Sequence, residues 1–81
     1  MNISYFRVIP FEKKCDVVVL ATYLAYRAVG EVKVFLYEYN GFFIEVFYSV
    51  AKQKVIMINA FTGAAGLYEY VDNISLADLT A

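Results

Sequence analysis

The 81-residue chain has no histidine and a single cysteine, Cys15. These absences remove the usual zinc-ligand sets, which combine several cysteine and histidine side chains. They also remove any internal disulfide and the imidazole that commonly activates a nucleophile. Cys15 is therefore expected to be a small, inert hydrophobe. Charge is scarce as well. Seven basic and eight acidic residues leave a net charge of −1. The longest charged run is Glu12-Lys13-Lys14. That is no electrostatic footprint for nucleic acid, and no nucleic-acid partner is expected. Uninterrupted apolar runs are short. Val17 to Tyr26, broken by Thr22, falls far below the ~20 residues of a bilayer span. No membrane association and no cofactor are expected. Asp16, at the head of that run, argues against a cleaved secretory leader, and the cytoplasm is the expected compartment.

What the chain has in excess is apolar surface. Hydrophobic residues make up 62 % of it and aromatic residues 19 %, against a usual apolar share of roughly 45–50 %. Residues 1–81 make one domain. A domain of this size hides only about 60–65 % of the surface its unfolded chain exposes. Large exposed apolar patches mark interaction sites, and two-fold dimers are the commonest closed assemblies. The composition thus predicts a homo-oligomer, a dimer first of all.

The strongest local signal is a hairpin centred on Asn40-Gly41. Both residues accept the positive φ that a type I′ turn requires. The arms, Val32–Tyr39 and Phe42–Tyr48, are filled with β-branched and aromatic residues. A two-residue turn fixes the register. One face then carries Lys33, Phe35, Tyr37, Tyr39, Phe42, Ile44, Val46 and Tyr48: the aromatic face. The other carries Val32, Val34, Leu36, Glu38, Phe43, Glu45, Phe47 and Ser49: the mixed face. Neither is polar, whereas a sheet with one wet side alternates apolar and polar residues.

Taken in order, residues 3–9 read as a short edge strand or arm ending at Pro10. Residues 11–21 read as a helix with an apolar stripe of Phe11, Cys15, Val18 and Val19. Residues 22–29 form a first strand that places Arg27 on the mixed face. A fourth strand spans 54–61, and strict alternation puts Val55, Met57, Asn59 and Phe61 on the aromatic face. A second helix is expected over 64–73, with Leu67, Tyr70, Val71 and Ile74 as its stripe. One more helical turn is signalled at Ser75-Leu76-Ala77-Asp78 by a capping-box pattern. The predicted fold class is α+β: a four-stranded antiparallel meander flanked by an N-terminal and a C-terminal helix, with a possible extra N-terminal strand. Two short helices cover one face of such a sheet. The aromatic face is expected beneath them, and the mixed face is expected to meet a second copy.

The order of helix, Thr22-Tyr23-Leu24-Ala25-Tyr26-Arg27, Gly30, Phe42-Phe43-Ile44-Glu45-Val46-Phe47-Tyr48 and Leu67-Tyr68-Glu69-Tyr70-Val71 resembles a family of small uncharacterised bacterial proteins found among Bacteroidetes. The resemblance covers most of residues 11–79. It departs at Asp16-Val17-Val18-Val19, where an aromatic residue is expected. It implies a fold and no activity.

No catalytic or metal constellation stands out. Arg27, Glu38 and Glu45 on the mixed face form either a polar ligand or carboxylate site, or a structural ion pair, which is the commoner case. Phe47 belongs to the same face and to the expected interface. Tyr37 and Tyr48, with the other aromatic-face rings, form either ordinary core or an aromatic pocket between sheet and helices. The sequence thus favours a non-catalytic interaction or structural module that dimerises through its sheet and can serve a further protein partner. The alternative is a small-ligand-binding protein with that aromatic pocket. Carboxylate catalysis is the least favoured reading.

Overall fold

A computed structural model describes residues 1–70. Its elements are two helices, α1 (Ile3–Val8) and α2 (Phe11–Leu20), and four strands, β1 (Thr22–Val29), β2 (Val32–Tyr39), β3 (Phe42–Ser49) and β4 (Lys54–Phe61). A 3-10 helix, Ala65–Tyr70, follows. The strands form one antiparallel sheet in the order β1-β2-β3-β4. The α+β class and the meander are as the sequence predicts. The central register is also as expected, from Tyr39 opposite Phe42 to Val32 opposite Ser49. Asn40 and Gly41 both adopt positive φ, 51° and 85°, as their turn requires.

Residues 3–8 are helical, not extended. The Asn2 side chain accepts a hydrogen bond from the Tyr5 backbone N–H at 2.9 Å, a cap that satisfies a first-turn donor. The short helix gains its hold from Phe6, which is buried against Phe42 with ring centroids 5.5 Å apart. The Arg7 guanidinium adds a bond to the Ala60 carbonyl at 3.0 Å.

The stripe of α2 is rotated from the expected one. Val17 is buried, and Cys15 and Val18 are half-buried, while Phe11 and Val19 are exposed. Val17 joins Phe6 of α1 in one buried cluster and Lys14 lies 5.8 Å from the Phe6 ring centroid, so the helix is turned towards α1 and its Phe11–Val19 side is left outside. Both helices pack on the aromatic face, around Phe42, Ile44, Val46 and Ala60.

Each edge strand carries one bulge. In β1, Tyr23 pairs with Tyr37 and Ala25 with Leu36, which leaves Leu24 extra. In β4, Val55 pairs with Tyr48 and Met57 with Phe47, which leaves Ile56 extra. An inserted residue reverses the alternation beyond it. Tyr23 and Tyr26 therefore share the aromatic face. Met57, Asn59 and Phe61 lie on the mixed face, and Ile58 and Ala60 on the aromatic one, contrary to strict alternation.

The mixed face is not left open for a second copy as expected. The segment after β4 folds back across it, and Leu67 and Tyr70 pack with Ala25, Val34 and Leu36. The segment is a 3-10 helix over Ala65–Tyr70 where an α-helix from Ala64 was expected. Gly66 weakens α-helix formation, and it lies so close to Phe61 that a Cβ there would meet the edge of the ring well inside van der Waals contact. The expected residues 71–73 of that helix, and the Ser75–Asp78 turn, lie outside the described residues.

Gly66→Ala is expected to lower stability by about 1–3 kcal/mol through overpacking on Phe61, read as a lower urea midpoint at unchanged m-value.

Candidate functional site

Glu45 sits on β3, a central strand, with its side chain on the mixed face. The surrounding apolar residues, Val34 and Leu36, are fully buried. Glu45 itself is buried. A carboxylate in such a place costs several kcal/mol unless it is bonded. Three donors satisfy it. The Tyr70 hydroxyl donates to Oε2 at 2.7 Å. The Asn59 amide donates to Oε1 at 2.9 Å. Arg27 donates through Nη2 to Oε2 at 3.4 Å, longer than a tight charge-assisted bond.

Each donor arrives by a definable route. Arg27 is opposite Val34 in the β1–β2 ladder. Asn59 is directly opposite Glu45, and it reaches the mixed face because Ile56 is bulged. Tyr70 ends the 3-10 helix and is fully buried. Its ring also receives Arg27, whose guanidinium carbon lies 5.3 Å from the ring centroid. The Arg27 Nε atom is buried with no hydrogen-bond partner among the described residues.

The electrostatics follow from burial. Tyr70 has its pKa raised well above the ordinary 10, first by desolvation and then by its hydrogen bond to Glu45, against the opposing influence of Arg27. For Arg27, burial alone would lower the pKa, but Tyr70 and Glu45 outweigh it and hold the guanidinium above its ordinary value. The cluster thus holds a charged guanidinium and a neutral phenol at neutral pH.

Of the residues singled out from sequence, Arg27 and Glu45 are brought together. Glu38 is not: its carboxylate accepts from the Gly41 backbone N–H at 3.1 Å and stabilises the hairpin turn. Phe47 packs at the margin of the mixed-face core. Tyr37 and Tyr48 lie on the other face. There they line, with Cys15 and Val18 of α2, a partly open cavity of about 310 Å³. Desolvation, with a smaller contribution from Tyr23, raises the Tyr37 pKa. Sequence reasoning missed Tyr70 and Asn59 as partners of Glu45. Tyr70 was legible only as a stripe residue, and Asn59 depends on a bulge that alternation does not reveal.

Among the described residues no group of three or more cysteine or carboxylate side chains is placed to hold a metal ion. No helix among them is long and apolar enough to cross a membrane. Family models, curated proteins and solved structures yield no match to this chain.

The raised Tyr70 pKa carries a sign. A group that holds its proton more tightly when folded contributes stability that is complete below its unfolded pKa and is lost at higher pH. Stability is therefore expected to fall as pH rises above about 10, read as a drop in urea midpoint across the alkaline range. Tyr70→Phe should lose about 1–3 kcal/mol at pH 7, because Glu45 loses a donor, and should show a shallower alkaline decline in urea midpoints.

Proposed function

We propose that the protein is a non-catalytic interaction module that self-associates through the β1 flank of its aromatic face. The observation that carries this reading is the apolar surface left uncovered there. Val19 and Leu20, in the last turn of α2, are 82 % and 73 % exposed. Tyr23 and Tyr26, which follow on β1, are 52 % and 49 % exposed. The Leu24 bulge places both tyrosines on one side of the sheet, each within 6.5 Å of the Phe35 ring centroid. Rings grouped in this way form the kind of rigid apolar anchor that dominates interface energetics. A second copy is the occupant that fits, because a net charge of −1 offers little electrostatic resistance to self-association. β1 is also an edge strand, so a two-fold arrangement can bring two such flanks together. This moves the proposed interface from the mixed face, which Tyr70 covers, to the aromatic one.

Sedimentation at micromolar concentration is expected to show a dimer. Leu20→Lys with Tyr26→Lys should give a folded monomer with an unchanged far-UV spectrum. A wild-type monomer under these conditions would overturn the reading.

The cavity beneath α2 supports a second reading, small-ligand binding. Its volume of about 310 Å³ is at the lower end of ligand sites, ~300–1,000 Å³. Its walls, among them Cys15, Val18, Tyr37, Val46, Tyr48 and Ile58, carry no formally charged side chain. The suited ligand is small, neutral and apolar. Naphthalene should then slow the reaction of Cys15 with a thiol reagent, and Val18→Trp, which fills the space, should abolish that protection. Equal labelling rates with and without naphthalene would dispose of this reading.

A further inference from the structure

We infer that the mixed-face slot around Glu45 is a recognition site for a Leu-x-x-Tyr segment, occupied by the chain's own residues 67–70 and able to accept the same motif from another polypeptide. The occupant's chemistry is visible because one example is seated in the slot.

Three features select a tyrosine. The walls are apolar and include Ala25, Val34 and Leu36, which favour a ring. The Arg27 guanidinium lies over that ring at 5.3 Å, a cation–π contact. At the far end, Glu45 Oε2 accepts the hydroxyl at 2.7 Å. Phenylalanine meets the first two demands and leaves the carboxylate without its shortest bond. The leucine three residues earlier belongs to the same core. In a 3-10 helix, side chains at i and i+3 eclipse, so Leu67 and Tyr70 descend on the sheet together. The spacing is thus part of the recognition.

Two further observations make the slot exchangeable. The segment reaches it through Thr62-Gly63, where Gly63 has φ +85° and open space around it. Such a position permits a change of direction at little steric cost. Meanwhile Arg27 Nε is buried in the slot with no hydrogen-bond partner among the described residues. Residues 67–70 leave that donor unused. An incoming segment that brings an acceptor oxygen to Nε gains a bond the resident one lacks, which is how it competes against a tethered rival. The resident segment then acts as an internal competitor that keeps the slot closed to weaker ligands. The slot and the proposed dimer flank lie on opposite faces of the sheet, so this inference stands or falls apart from self-association.

The test uses the full chain carrying Leu67→Ala and Tyr70→Ala, and a fluorescent peptide with the sequence of residues 62–70. Saturable binding by fluorescence polarisation is expected. A peptide whose final tyrosine is phenylalanine should bind about tenfold more weakly, as expected for losing a hydrogen bond to a charged acceptor. Adding Glu45→Leu should make the two peptides equal, and the wild-type chain should bind the tyrosine peptide more weakly than the double variant does. Absence of saturable binding, or equal affinity for the two peptides with Glu45 intact, would overturn the proposal. If the double variant is unfolded alone, refolding in the presence of each peptide makes the same distinction. Recovery of near-UV signal with the tyrosine peptide but not the phenylalanine peptide supports it, and recovery with neither, or with both equally, overturns it.

Discussion

The arrangement of the mixed face depends on one buried carboxylate. Glu45 is held on a central strand among fully buried aliphatic side chains, where an unsatisfied charge would cost more than most single interactions contribute. Its three donors come from β1, β4 and the C-terminal segment. Three separate parts of the chain are therefore committed to one geometry. A purely apolar face would tolerate sliding of the segment over the sheet. A carboxylate with a hydroxyl at 2.7 Å does not, and buried polar contacts of this kind are a source of specificity in some folds.

The two edge bulges make that geometry possible. Without the extra residue at Ile56, Asn59 would face the opposite side of the sheet and Glu45 would lose a donor. Without the extra residue at Leu24, Tyr23 would leave the aromatic face and the flank would lose a ring. Bulges also disrupt the ladder at sheet edges, where unpaired strands otherwise invite indiscriminate pairing. The same local irregularity thus shapes the polar cluster, the apolar flank and the character of both edges.

Much of the fold is legible in the residues. Asn40-Gly41 determines the central register, Gly30 marks the preceding turn, and the β-rich runs define all four strands. Arg27 and Glu45 can be placed on one face from pairing alone. The rest escapes for physical reasons. α1 is a six-residue helix whose β-branched residues suggest a strand, and tertiary burial of Phe6 outweighs that propensity. The orientation of α2 depends on α1 and so could not be read from its own periodicity. Bulges add one residue without a sequence signature as clear as Asn-Gly. The covering of the mixed face follows from where the C-terminal segment turns, which no local pattern specifies.

The meander has a kinetic meaning. Every strand pairs with its sequence neighbour, so the sheet can assemble by successive short loop closures of small entropic cost. The bond from Arg7 to the Ala60 carbonyl is different, since it spans 53 positions of chain, and α1 can dock only on strands already in place. The amino-terminal helix accordingly docks late, on a sheet whose strands have already paired.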